Sequence, residues 1–91
     1  MTYDIVFSDK ALNKLKKMEK NVQERIIAVL ERIRLRPESY VTKLVGDPGY
    51  KLRVGDYRII LDIDNKILRI LILKVGHRKN IYDGKSKTGL V

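Results

Sequence analysis

Gly55-Asp56 joins two runs that alternate apolar and polar residues, YKLRV (50–54) and YRIILDID (57–64). A connection this short fits an antiparallel hairpin with a tight turn, and here glycine takes the first turn position. A third run, ILRILILKV (67–75), follows a second turn around Asp64-Asn65. It is apolar on both faces, which suits a central strand. Strands at 50–54, 57–64 and 67–75 make an antiparallel meander. An apolar sheet face of that size needs a cover.

The first half of the chain supplies the cover. TYDIVF (2–7) alternates and is rich in β-branched and aromatic residues, which predicts a leading strand. Ser8 is placed to cap a helix, and Asp9 to meet the positive end of its dipole. Ala11, Leu12, Leu15 and Met18 recur at helical spacing, carrying that helix through residue 19. Asn21 is expected to cap a second helix, with Glu24 in the capping-box position. Val22, Ile26, Val29, Leu30 and Ile33 form its apolar stripe, and Pro37 stops it. The two helices are separated by so few residues that they fold back as an antiparallel hairpin. Residues 38–48 read as a loop or short turn, and GDPG (46–49) is turn chemistry. The expected fold is α+β: an N-terminal strand, an antiparallel helical hairpin, then a three-stranded antiparallel meander, in one mostly antiparallel sheet. The helices cover one face and leave the other open. Residues 1–91 are expected to form a single domain. The end, DGKSKTGLV (83–91), has no apolar periodicity and reads as a flexible tail.

Composition narrows the chemistry. The chain has 91 residues, no cysteine and one histidine, so disulfides are excluded and a protein-built zinc site is disfavoured. No apolar run reaches membrane-spanning length, and the start, MTYDIVFSDK, lacks a signal-peptide pattern. A cytoplasmic protein with no membrane partner is expected. Twenty Lys+Arg against eleven Asp+Glu give a net charge of +9, a field that draws nucleic acids and acidic proteins.

The cations fall at particular places. With a period of two, Tyr50, Leu52 and Val54 face one way, and Lys51 and Arg53 the other. Arg58 opens the next strand. Adjacent strands lie about 4.8 Å apart, so these side chains can converge on one polyanion. A structural reading of each residue is also available. Lys51 and Arg53 could discourage edge pairing. Arg58 could pair with Asp62 or Asp56, and His77 could be a surface residue. Tyr82 could cover the sheet edge, and Arg78 and Lys79 could be tail charges. The sequence holds no obvious carboxylate pair for acid–base work and no glycine-rich phosphate loop. Ser8 and Ser86 have no base at meaningful spacing.

The element order, YKLRVGDYRII (50–60) and LKVGHRKNIY (73–82) together resemble the RelE toxins of toxin–antitoxin pairs, within the RelE/ParE superfamily, over roughly residues 2 to 82. The resemblance implies the toxin of a type II system, a ribosome-dependent messenger-RNA endoribonuclease acting in the A site. Cleavage in that family proceeds by attack of the substrate's own 2′-hydroxyl on the adjacent phosphate, without metal or cofactor. Carried over by position, Lys51 matches the first lysine of the family's basic strand. Arg53 stands where the best-known members have lysine. Arg58 matches the arginine opening the next strand, Arg78 the arginine after the last strand, and Tyr82 the C-terminal tyrosine. His77 occupies a position that is basic or histidine elsewhere. The resemblance therefore implies catalytic roles for Lys51, Arg53, Arg58, His77, Arg78 and Tyr82. RNA contacts are expected from Lys51, Arg53, Lys74 and Lys79.

The residue types suit those roles. Arg58 and Arg78 offer permanently charged forks that grip phosphate bidentately. Lys51 or His77 is a candidate for proton transfer, and Tyr50, Tyr57, His77 and Tyr82 are the rings available for stacking. The spacing from Arg78 to Tyr82 is short for the family pattern. The resemblance also implies a RelB-like antitoxin as partner, with ribosome and messenger RNA as targets and operator DNA reached through the antitoxin complex. The other branch of the superfamily, ParE-like inhibitors of DNA gyrase without nuclease activity, is the alternative. A basic adaptor that only binds nucleic acid or ribosome is the third reading.

Overall fold

A computed structural model describes residues 2–79. The elements are β1 (Asp4–Phe7), α1 (Asp9–Lys16), α2 (Lys20–Ile33), a short 3-10 turn (Pro37–Ser39), β2 (Thr42–Lys43), β3 (Tyr50–Val54), β4 (Tyr57–Asp64) and β5 (Arg69–His77). They form an α+β fold whose five-stranded sheet has the order β1-β5-β4-β3-β2. The helical hairpin and the meander are both present. β1 pairs with β5 in parallel, Ile5 beside Ile70 and Phe7 beside Ile72. With β1 on one side and β4 on the other, the apolar run of β5 is flanked on both edges.

Several boundaries differ from expectation. The turn before β5 takes residues 65–68, so β5 starts at Arg69 and runs to His77. The cause is the Asp64 carboxylate, which accepts hydrogen bonds from the backbone N–H groups of Lys66 (2.9 Å) and Ile67 (3.3 Å). A side chain that captures the next amides in this way competes with strand pairing. β2, within the stretch expected to be a loop, pairs Thr42 and Lys43 with Lys51 and Tyr50. Two residues are too few to show a period. α1 ends at Lys16 rather than 19. Asn21 lies inside the first turn of α2; Glu19 holds the cap position and makes no side-chain capping bond. The Gln23 side chain instead donates to the Met18 carbonyl (2.8 Å), closing the turn between the helices.

The core lies between the helices and one sheet face. Ala11 and Leu15 of α1, with Val22, Ile26, Leu30 and Ile33 of α2, pack against Leu52, Val54, Ile59, Leu61, Ile70, Ile72 and Val75. A bulge in β5 interrupts the ladder: Ile60 pairs with Lys74 and Leu61 with Ile72, leaving Leu73 as the extra residue. Ser8 fastens this bulge. Its hydroxyl accepts from the Ala11 N–H (3.1 Å), as a cap should, and donates to the Leu73 carbonyl (3.1 Å). Ser8→Ala is therefore expected to lower stability by about 1–2 kcal/mol, read by urea or thermal unfolding. Among the described residues no helix is long and apolar enough to cross a membrane.

Candidate nucleic-acid interface

The β3–β4 turn sets the geometry of the cations. Gly55 has φ +59°, while Asp56 is not in the positive region. A positive φ at the first central residue alone is the pattern of a type II′ turn, whose twist matches that of the flanking strands. An added Cβ at Gly55 would lie 3.2 Å from Nη1 of Arg25 in α2. Gly55→Ala is expected to lower stability by about 1–2 kcal/mol, because a left-handed backbone disfavours a Cβ; thermal unfolding would read this.

The turn closes on Val54 opposite Tyr57, and the next pair is Arg53 opposite Arg58. Bonded and non-bonded pairs alternate along an antiparallel ladder. Arg53 and Arg58 occupy a non-bonded position, where Cα atoms stand only about 4.5 Å apart. Lys51 pairs with Ile60 one step further along the same face. Leu52 and Ile59, between these pairs, are 2% and 0% exposed on the helix-covered face. Lys51, Arg53 and Arg58 thus share the face away from the helices, as the alternation predicted. Arg53 is exposed, and Lys51 and Arg58 are half-buried. Ile60 and Leu44 are also buried, outside the main core cluster. Like charges facing one another across a strand pair oppose folding. The buried Leu52, Val54 and Ile59 hold these strands together.

Arg78 is the first residue past β5. Its backbone N–H donates to the Asp56 carbonyl at 2.8 Å. Its Nε lies 4.0 Å from Asp56 Oδ1, in a pair 57% and 70% exposed. The turn that presents Arg53 and Arg58 therefore also receives Arg78. An exposed pair of this length contributes little energy, in the range of about 0–1 kcal/mol, so the guanidinium can leave the carboxylate for another anion. By sequence Asp56 is a turn residue or a partner of Arg58; only the register of β4 with β5 reveals it beside Arg78.

His77 is placed differently. It is the last residue of β5, opposite Tyr57, and so belongs to the helix-covered face rather than to the cation row. Its ring meets Tyr57 edge-on, with centroids 5.4 Å apart. Its Nδ1 accepts from the Lys79 N–H (3.2 Å), which puts the proton of a neutral ring on Nε2. Tyr50 and Tyr57 pack against the core cluster, and Lys43 Nζ sits 5.8 Å from the Tyr50 ring centroid. Neither tyrosine shares the face of Lys51, Arg53 and Arg58. Lys74 lies by α1, across a cleft, and Lys79 is exposed. Tyr82 and the expected tail, 83–91, lie outside the described residues. Among the described residues no group of three or more His, Asp or Glu is arranged to hold a metal ion.

The same fold occurs in solved toxins. The RelE–RelB complex of the archaeon Pyrococcus horikoshii contains a chain 28% identical, with a TM-score of 0.74, covering 89% of this chain and 100% of that one. The RelBE2 complex of Mycobacterium tuberculosis matches with a TM-score of 0.74 at 25% identity, over 86% of this chain and 100% of that one. The intact RelBE complex of Escherichia coli matches with a TM-score of 0.70 at 28% identity, over 82% and 95%. Fold and likeness together define a toxin of the RelE/ParE superfamily. Residues 5–82 match the family model described as the ParE toxin of type II toxin–antitoxin system, parDE, and the chain belongs to that family. A comparison with curated proteins found no match.

Proposed function

We propose that this toxin is a ribosome-dependent endoribonuclease that cuts messenger RNA in the A site. The observation that supports it is the facing pair Arg53–Arg58, with Lys51 beside it on the uncovered sheet face and Arg78 held at the same turn. Such a row suits a phosphodiester. The substrate's 2′-hydroxyl gives its proton to a base as it attacks the adjacent phosphorus, the bond to the 5′ oxygen breaks, and that oxygen takes up a proton from an acid. The products are a 2′,3′-cyclic phosphate and a 5′-hydroxyl. Arg58 and Arg78 grip the phosphate as negative charge builds on it, where preorganised charge contributes most. Lys51 and Arg53 hold the flanking backbone. Lys51 and Tyr82 are the groups assigned to proton transfer. His77, facing the other side, orders the backbone at Lys79.

A RelB-like antitoxin is the proposed partner. Relatives are solved with RelB, and a +9 chain suits an acidic, partly helical wrapper. Operator DNA would be met through that complex, and a ribosomal target places the protein in the cytoplasm. The family description, parDE, favours a second reading, inhibition of DNA gyrase without cleavage. Purified protein added to translating ribosomes, with mapping of new RNA ends, separates the two when run beside a gyrase supercoiling assay. Cuts at A-site codons are expected. Gyrase inhibition with intact messenger would reverse the assignment.

A further inference from the structure

A second cluster of cations lies away from the Arg53–Arg58 row. Lys10, Lys14 and Lys17 follow one another along α1 and its C-terminal cap at i, i+4 and i+7, one helix face. With Lys74 of β5 they line an open cleft of about 380 Å³, completed by Asn13 and by Val75 and Gly76. β1 has ended by this point, so among the described residues β5 runs on without a strand neighbour on that side. Among the described residues no ion pair engages any of the four lysines. Like charges three and four residues apart weaken a helix, so folding alone does not favour this arrangement.

The cleft adjoins the cation row. Gly76, in its lining, is the register partner of Arg58. We infer that the lysine cleft between α1 and the C-terminal part of β5 is a second phosphate subsite. It takes the backbone of the same RNA strand beyond the Arg53–Arg58 phosphate. This rests on the nuclease reading for the identity of the strand. An acidic peptide is the competing occupant; the row of ammonium groups at i, i+4 and i+7 along an open cleft that adjoins the Arg53–Arg58 pair favours a continuous phosphate chain.

The test uses the full chain and a short 2′-O-methyl oligouridylate, which cannot be cut, with binding read by fluorescence anisotropy across a salt series. Lys10→Gln, Lys14→Gln and Lys17→Gln are combined in one variant, since glutamine has nearly the helix propensity of lysine. A matched variant changes the exposed Lys16, Lys20 and Lys66 to Gln. The cleft variant should bind about tenfold more weakly, and the slope of log affinity against log salt should fall by about 2, as expected for three lost contacts to a single strand. The matched variant should keep the parent's slope. Equal loss in both variants would reduce the effect to net charge and overturn the proposal, as would parent-like binding by the cleft variant or no binding by the parent. Loss of polyglutamate binding with RNA binding intact would assign the cleft to an acidic peptide, overturning it too. A parent chain that binds through the cleft yet cuts nothing on ribosomes would sink the nuclease reading alone.

Discussion

Arg78→Ala is expected to abolish growth inhibition on induction and to lower messenger cleavage on ribosomes by about 10²–10³, the usual cost of removing one group that stabilises transition-state charge. Stability should hardly change. The Arg78 contact that belongs to the fold is its backbone N–H to the Asp56 carbonyl, and alanine keeps that bond. The guanidinium touches Asp56 at 4.0 Å in an exposed pair. Its loss should move unfolding by less than about 0.5 kcal/mol, as for most exposed substitutions. Arg78→Lys separates charge from geometry: a lysine restores a point charge but not the planar fork, so partial activity would indicate bidentate contact. A fully toxic Arg78→Ala chain would count decisively against phosphate stabilisation by this residue. The same experiment with Arg53→Ala should give a smaller defect, since its assigned role is to hold flanking backbone.

The sequence made the fold legible wherever a period was long enough to read. Alternation in YKLRVGDYRIILDID placed Leu52 and Val54 on the core face and Lys51 and Arg53, with Arg58, on the other, and the register agrees. The failures are local. Asp64 captured two amides and delayed β5, a competition between side chain and ladder that periodicity does not show. That shift, with the bulge at Leu73, decides the face of everything after it. A one-residue change of register reverses sides. It put His77 against Tyr57 rather than with the cations, and set Lys74 opposite Ile60, on the face of Arg58. The pairing of Arg78 with Asp56 joins residues 22 positions apart and depends on that same register. The α1 lysines were visible in DKALNKLKK (9–17), where the i, i+4, i+7 spacing is plain. What the sequence did not disclose was that β1 stops short of Lys74 and leaves space for those lysines to line.

Leu30→Ala is expected to cost about 2–5 kcal/mol, the range for truncating a fully buried leucine. Leu30 is 1% exposed, in the middle of the core stripe of α2 between Ile26 and Ile33, both 0% exposed. Removing its side chain leaves a cavity facing the sheet, and the stiff β-branched neighbours leave little scope for collapse. In a domain of this size each kcal/mol shifts the melting temperature by roughly 4–8 °C, so a drop of at least about 8 °C is expected. Ile27→Ala, on the same helix but 41% exposed, is the control and should shift it far less. The Leu30 variant also separates two routes to lost toxicity. It should weaken growth inhibition by lowering the folded fraction, while cleavage per folded molecule at low temperature stays near the parent's. Arg78→Ala should show the reverse, full folding with lost cleavage. If Leu30→Ala melted with the parent, the assignment of this α2 face to the core would be wrong. The sheet face that Lys51, Arg53 and Arg58 share would then no longer be set by what lies behind it.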